Sequence, residues 1–363
     1  EALNNLGNIL NDKKEYNLAL PLFKKSIKLK PDYEMAHNNI GIIYSKLGNL
    51  ELAITHYKKA IDINPKQSQT FNNLGNAYQK LGNNINAEKS YKSALEINPL
   101  FLDAKNNLGT LLMDNEKYEE AILLFNEVIN KNPKFFKAYS NLAIVFRKIG
   151  QVKEAEKLNK LSLQIEPNNP SALNNIGLLL MDENKFNLAI NQFLKSIQFE
   201  KNSKTIKNLG IAYQRNYEYK KALNQYQLSL NINPNDAKTY CSIGSCFKEL
   251  KEFNNAIEAY DKALVLEKNN IYALSQKIST ERQICFWEND FDIDKLNLKL
   301  TSYDQYIDPR SIMYLADDLE IEQKLARKYF KNNFVRVANK ISFSVKTKIR
   351  VGYYSADLIT LAV

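Results

Sequence analysis

The chain has 363 residues, 44% of them apolar, which is ample for a folded core. Fifty Lys and Arg against 40 Asp and Glu leave +10, a mild excess interleaved with acids. The excess reads as a solvated helical surface, with preference for an acidic partner as the sharper reading; no aromatic-basic groove motif supports nucleic acid. No apolar run nears the about 20 residues that span a bilayer, and no secretory leader pattern is present, so the expected location is cytoplasmic. Cys241, Cys246 and Cys285 are too few and too badly placed for a disulfide framework, and only His37 and His56 could help hold a metal. The cysteines read as small buried apolar side chains. The first residue, Glu1, and the last, Leu361-Ala362-Val363, both read as cut ends.

From the start of the chain a single unit recurs. Gly7, Gly41, Gly75 and Gly109 are 34 residues apart; Ala143 takes the next place, followed by Gly177, Gly210 and Gly244. An apolar residue precedes each, and three residues later comes Leu10, Tyr44, Tyr78, Leu112, Phe146, Leu180, Tyr213 or Phe247. That offset is one helical turn, so these positions share one face of a first helix, A.

A second small residue recurs at Ala19, Ala53, Ala87, Ala121, Ala155, Ala189, Ala222 and Ala256. Four residues on stands a ring, Phe23, Tyr57, Tyr91, Phe125, Phe193, Tyr226 or Tyr260, except in the fifth unit, which has Asn159. This pattern predicts a second helix, B, closed by Pro31, Pro65, Pro99, Pro133, Pro167 and Pro234. The small residue in helix A lets helix B approach, and large and small side chains interlock along the stack.

The period and pattern resemble the tetratricopeptide repeat. Eight units follow at 1–33, 34–67, 68–101, 102–135, 136–169, 170–202, 203–236 and 237–270. The resemblance implies an all-α fold, a right-handed superhelix or α-solenoid, in which each unit is stabilised by its neighbours. The sixth unit is one residue short and lacks the closing proline, which predicts a local change in stacking angle.

An asparagine stands just before the Leu/Ile-Gly pair at Asn5, Asn39, Asn73, Asn107, Asn141, Asn175 and Asn208; the eighth unit has Ser242. Asparagine is a mediocre helix former, so propensity does not explain the row. With A helices lining the concave side, the amides form a ladder. Each could grip a peptide group of an extended chain through C=O and N–H together. The alternative is that they bond to the neighbouring repeat. Asn4, Asn38, Asn72, Asn106 and Asn174, which precede several of them, raise the further reading of compositional drift.

Periodicity fades after residue 270. Residues 271–330 read as a capping helix, beginning at Ile271-Tyr272-Ala273-Leu274 and running to Cys285-Phe286-Trp287, and a post-repeat helical segment with a charged helix near Leu319–Tyr329. Trp287 reads as core. Residues 331–363 read as a basic linker, to Lys348, and a truncated first strand of a glycosyltransferase-like domain, Ile349–Tyr354.

Three features together resemble the O-linked N-acetylglucosamine transferase family, including its bacterial and SPINDLY-like members. They are the array with Asn before Leu-Gly, the segment Arg282-Gln283-Ile284-Cys285-Phe286-Trp287, and Ile349-Arg350-Val351-Gly352-Tyr353-Tyr354-Ser355-Ala356-Asp357. The resemblance implies an arm that recruits polypeptide substrates for a transferase using UDP-N-acetylglucosamine (UDP-GlcNAc). The family's Phe and His after the Asp are replaced by Leu358 and Leu361, so no catalytic residue is assigned and the chain as given is expected to be inactive. The expected partner is a protein or extended peptide in the concave groove, without a membrane; a homodimer is left open. The alternatives are a fragment of an active UDP-sugar-dependent protein O-glycosyltransferase and a generic scaffold.

Overall fold

The computed structural model describes residues 1–284. They form seventeen α-helices, with no strand among the described residues. The helices pair as hairpins, A then B: α1 (Ala2–Asp12) with α2 (Tyr16–Leu29), α3 (Glu34–Lys46) with α4 (Leu50–Ile63), and α5 (Ser68–Lys80) with α6 (Asn84–Ile97). Then come α7 (Leu102–Asp114) with α8 (Tyr118–Lys131), α9 (Phe136–Lys148) with α10 (Val152–Ile165), and α11 (Pro170–Asp182) with α12 (Phe186–Phe199). The last pairs are α13 (Ser203–Arg215) with α14 (Tyr219–Ile232) and α15 (Ala237–Glu249) with α16 (Phe253–Leu266), followed by α17 (Ile271–Gln283).

The chain divides after Pro234 into two compact units, a boundary that falls inside the stretch 1–270 expected to be one array. The first unit, residues 1–234, is an α-solenoid of seven hairpins. Within it each B helix packs on the A helix that follows, and successive A helices also approach one another. No successive pair of B helices approaches to the same degree, so the A side is the inner side of the stack. In the described part of the second unit, α17 begins where the sequence pattern places it. It covers α16, with Ala273 joining a buried cluster of Ala256, Tyr260 and Ala263. The sequence readings at Trp287, Leu319–Tyr329, Lys331–Lys348 and Ile349–Asp357 lie outside the described residues.

Each A helix ends in the same way. The residue after the C-cap adopts the left-handed conformation: Gly48 (φ 84°), Gly82 (φ 78°) and Gly150 (φ 82°), but also Lys14, Glu116, Asn184, Tyr217 and Lys251 at φ 58–62°. The next N–H returns to a carbonyl five residues back, as in Asn83 to Tyr78 (2.9 Å) and Lys117 to Leu112 (2.9 Å). This reverse turn satisfies helix-end carbonyls and sets the angle at which helix B starts. Six of the eight B helices end two residues before a proline; the loops after α12 and α16 contain none. In three loops the Asn before proline accepts from the N–H two residues on: Asn64 from Lys66, Asn98 from Leu100, Asn132 from Lys134. The loop after α12 has three residues instead of four and no proline; the Asn202 side chain accepts from the Lys204 N–H and caps α13 instead.

The small residue of helix A faces the ring of helix B in its own hairpin. A Cβ built on Gly7, Gly41, Gly75, Gly109, Gly177, Gly210 or Gly244 would lie 2.5–2.8 Å from the nearest atom of that ring. Those rings are fully buried or nearly so. The fifth hairpin breaks both halves of the rule at once. Ala143 carries the Cβ that the others lack, and Asn159 stands where the ring would clash with it. Asn159 is buried and donates to the Ala155 carbonyl at 2.9 Å.

In hairpins two, three, four, six and seven, ring identity follows the residue four after the glycine; in the first, Phe23 stands opposite Asn11, and in the eighth Tyr260 is bonded to Ser245, one residue after the glycine. Tyr91 donates towards Gln79 and Asn76, Tyr226 donates to Gln214 (2.6 Å), and Tyr57 is bonded to Ser45. Where the ring is Phe125 or Phe193, that place holds Met113 or Met181, in the same apolar cluster. A buried phenol needs a partner, and a buried phenyl needs none. Burial pushes the Tyr57, Tyr91 and Tyr260 hydroxyls well above the usual phenol range.

Candidate protein-binding face

The asparagine row lies on the A helices of the first unit, and the structure shows what its amides do. Asn39 donates through Nδ2 to Asn4 Oδ1 (3.1 Å) and Asn8 Oδ1 (2.8 Å) of the hairpin before it. Asn107 donates to Asn72 (3.0 Å) and Asn76 (3.1 Å), and Asn141 to Asn106 (3.0 Å) and Thr110 Oγ1 (3.2 Å). Asn73 donates to Asn38 (3.1 Å) and Asn208 to Asn174 (2.9 Å). The buried Asn175 donates to the Ser140 carbonyl (3.0 Å) and to Asn159 Oδ1 (3.2 Å). Asn5, in the first hairpin, is exposed.

Of the two uses the sequence allows for these amides, bonding between hairpins is realised in six. An amide nitrogen has two donors. Asn39, Asn107, Asn141 and Asn175 use both on the preceding hairpin, which corrects the two-point grip at those positions: they retain only Oδ1 as an acceptor. For Asn175 the second acceptor is Asn159 of helix B; for Asn39, Asn107 and Asn141 it is a polar residue just after the preceding glycine, Asn8, Asn76 or Thr110. Where that residue is Ile42 or Leu178, Asn73 and Asn208 make one inter-hairpin bond each and keep one N–H. Asn73 Oδ1 also accepts from Gln69.

Compositional drift does not account for the other asparagine row. Asn4, Asn38, Asn72, Asn106 and Asn174 are the acceptors of these bonds. Their constant phase, one residue ahead of the ladder, is the signal that could have assigned them. The fifth hairpin has Ser140 at this place and builds a different network. Ser140 and Ser162 hydroxyls are 2.8 Å apart, Asn169 donates to both at 2.7 Å, and Ser162 reaches the Phe136 carbonyl at 2.8 Å.

On the inner side of hairpins five to seven a cavity of about 310 Å³ opens among α9, α11, α12 and α13. At its edge Arg147 holds Asp182 through two parallel bonds, Nε to Oδ2 at 2.7 Å and Nη2 to Oδ1 at 2.9 Å. No group of three or more His, Cys, Asp or Glu that could hold a metal ion occurs among the described residues. His37 and His56 instead face each other, Nδ1 to Nδ1 at 3.2 Å, while His37 Nε2 donates to the Pro31 carbonyl. Burial, the neighbouring His37, and Lys59 and Lys24 push His56 down to about 4. Cys241 and Cys246 are free and buried, and burial pushes both thiols up to about 12, which suits inert packing. Cys285 lies outside the described residues. No helix among the described residues is long and apolar enough to cross a membrane.

Family models described as TPR repeat or tetratricopeptide repeat match residues 7–48, 43–82, 68–101, 112–179, 170–203 and 237–270, together more than half of the chain. The chain is a tetratricopeptide-repeat protein. Among curated relatives, the UDP-N-acetylglucosamine–peptide N-acetylglucosaminyltransferase of Giardia intestinalis is 27% identical over 42% of this repeat protein and 10% of its own length. The anaphase-promoting complex subunit CDC16 of Saccharomyces cerevisiae is 28% identical over 34% of the chain and 16% of its own length. The chain thus spans well under a quarter of either relative. A crystal structure of the APC/C Cut9–Hcn1 hetero-tetramer shares the fold, with a TM-score of 0.59 and 18% identity over 73% of this chain and 52% of that one.

Proposed function

We propose that the first unit of this tetratricopeptide-repeat protein is a binding arm for an extended polypeptide, seated along its A helices. The observation that carries this reading is the inner row of partly exposed Asn39, Asn73, Asn107 and Asn141, fixed in orientation by bonds between hairpins. Because those bonds hold the amides, ordering them costs little when a partner arrives. Where Oδ1 remains open it presents an acceptor for main-chain N–H groups. Acceptors that read the backbone tolerate varied side chains, so affinity is shared over several hairpins and selectivity comes from the residues between them.

Substitution of both faces tests this. Ile42→Glu with Ile144→Glu places charge beside the asparagine row. Leu18→Glu with Leu123→Glu does the same on exposed positions of α2 and α8, at 59% and 65% exposure. The first pair removes binding to a pool of unstructured peptides while helicity is kept, and the second leaves binding intact. Loss with the second pair alone would move the site to the B helices.

A second reading places this arm in a protein O-glycosyltransferase that uses UDP-GlcNAc. It is favoured by the segment Ile349–Asp357 and by similarity to the Giardia transferase. The comparable similarity to the anaphase-promoting complex subunit CDC16 of Saccharomyces cerevisiae means that the array alone does not choose. The parent gene, read beyond codon 363, decides this: two nucleotide-binding lobes favour the transferase, and an unrelated continuation removes it.

A further inference from the structure

We propose that hairpins five to seven hold a side-chain pocket for a bulky apolar residue of an extended peptide, with an acidic residue two positions away. This rests on the peptide-arm reading and adds a specificity element to it. Three observations meet at the cavity among α9, α11, α12 and α13.

The first is its apolar lining. Leu178, Met181, Phe186 and Ile211 line it. The residue after the small residue of helix A is Asn8, Ile42, Asn76 and Thr110 in hairpins one to four, and Ile144, Leu178 and Ile211, all apolar, in hairpins five to seven. This position is therefore apolar in three successive hairpins only where the cavity opens. Its volume of about 310 Å³ is enough for one large side chain with room to adjust.

The second is its charge. Arg147 and Asp182 neutralise each other. Arg215 is exposed, lines the same cavity and makes no ion pair among the described residues. A guanidinium so placed matches a carboxylate, and it fits a chain of net charge +10.

The third is Asn208, which also lines the cavity. Its single inter-hairpin bond leaves one N–H and Oδ1 for the main chain of a ligand. In an extended peptide, side chains i and i+2 point the same way, so the residue in the pocket and the one at Arg215 are two apart.

Four nine-residue peptides in a Gly/Ser background test this, measured by fluorescence anisotropy against the full chain. Their centres are Glu-Ser-Phe-Ser-Glu, Gln-Ser-Phe-Ser-Gln, Lys-Ser-Phe-Ser-Lys and Glu-Ser-Ser-Ser-Glu; the symmetry makes them independent of chain direction. The first binds about 10-fold tighter than the fourth, from burial of the ring. It binds about 3- to 5-fold tighter than the second, from the partly exposed ion pair. Arg215→Gln, at an exposed position, abolishes the Glu-over-Gln preference and leaves the Phe-over-Ser preference. Equal affinity for the first and fourth peptides, or an unchanged Glu-to-Gln ratio in Arg215→Gln, overturns the pocket. If all four bind alike and the Ile42→Glu/Ile144→Glu protein binds none, the arm stands and the pocket is refuted. If none binds at millimolar concentration, both fail.

Discussion

Gly75→Ala should destabilise this protein in one background and stabilise it in another. The added Cβ would stand 2.6 Å from Tyr91 Cε1, 2.7 Å from Cδ1 and 3.0 Å from Cζ. Ordinary contact begins near 3.4 Å, so the ring must withdraw by several tenths of an ångström. It has little freedom to do so. Tyr91 is fully buried, and its hydroxyl is bonded to Asn76 or Gln79. Overpacking of this kind costs about 1–3 kcal/mol. Replacing a mid-helix glycine by alanine returns about 0.8–1 kcal/mol of helix propensity. The net is about 1 kcal/mol of destabilisation. With Tyr91→Ala already present, the clash is gone and only propensity remains, so Gly75→Ala then stabilises by nearly 1 kcal/mol. Urea unfolding followed by circular dichroism reads the whole array. Amide exchange in α5 and α6 localises the effect, which is needed because repeat arrays depart from two-state behaviour. A neutral or stabilising Gly75→Ala in the parent protein would refute the steric account, and with it the explanation of the paired exception Ala143/Asn159.

The αL residues give a second, independent test. Gly82→Val should cost about 1–2 kcal/mol although nothing lies within 4 Å of the added Cβ, because the strain is in the backbone; a loss below a few tenths in chemical unfolding would contradict this. Ser162→Ala removes the hub that accepts from Asn169 and donates to the Phe136 carbonyl, and should cost about 1–3 kcal/mol by the same assay. The histidine pair predicts a pH effect. Both folded-state pKa values are lowered, His56 to about 4. As pH falls from about 6.5 towards 4 the unfolded chain takes up protons that the folded one refuses, so stability falls over that window. His56→Gln should flatten the melting temperature between pH 6.5 and 4, and an unchanged slope would sink the assignment.

Much of the hairpin architecture is legible because each unit repeats one steric decision. Glycine at the crossing, a ring opposite, and proline at the exit are all encoded within 34 residues, so their phase is visible without coordinates. The left-handed turn after helix A was harder to read. Lys14, Glu116, Tyr217 and Lys251 occupy it without the glycine that normally announces it, since the bonds on either side force the conformation. The asparagine row was visible as a row, but not the direction of its donors. That depends on which residue sits 31 or 35 positions earlier, or 34 across the short sixth unit, a relation set by how hairpins stack. Asn175 shows the limit: it keeps the ladder's place in sequence, yet turns to Ser140 and Asn159 because the fifth hairpin has lost its ring. The cavity beside Asn208 joins residues from four helices and left no local pattern to recognise.

Where a bound peptide lies on this molecule is the point on which the functional account turns. A spin-labelled unstructured peptide, titrated into protein with isotope-labelled asparagine side chains and isoleucine methyls, reports it directly through paramagnetic broadening. The account predicts broadening at the amide groups of Asn73, Asn107, Asn141 and Asn208 and at the Ile144 and Ile211 methyls, with Ile85 and Ile232 on the B helices unaffected. Broadening confined to the B-helix positions, or none at saturating peptide, would contradict it.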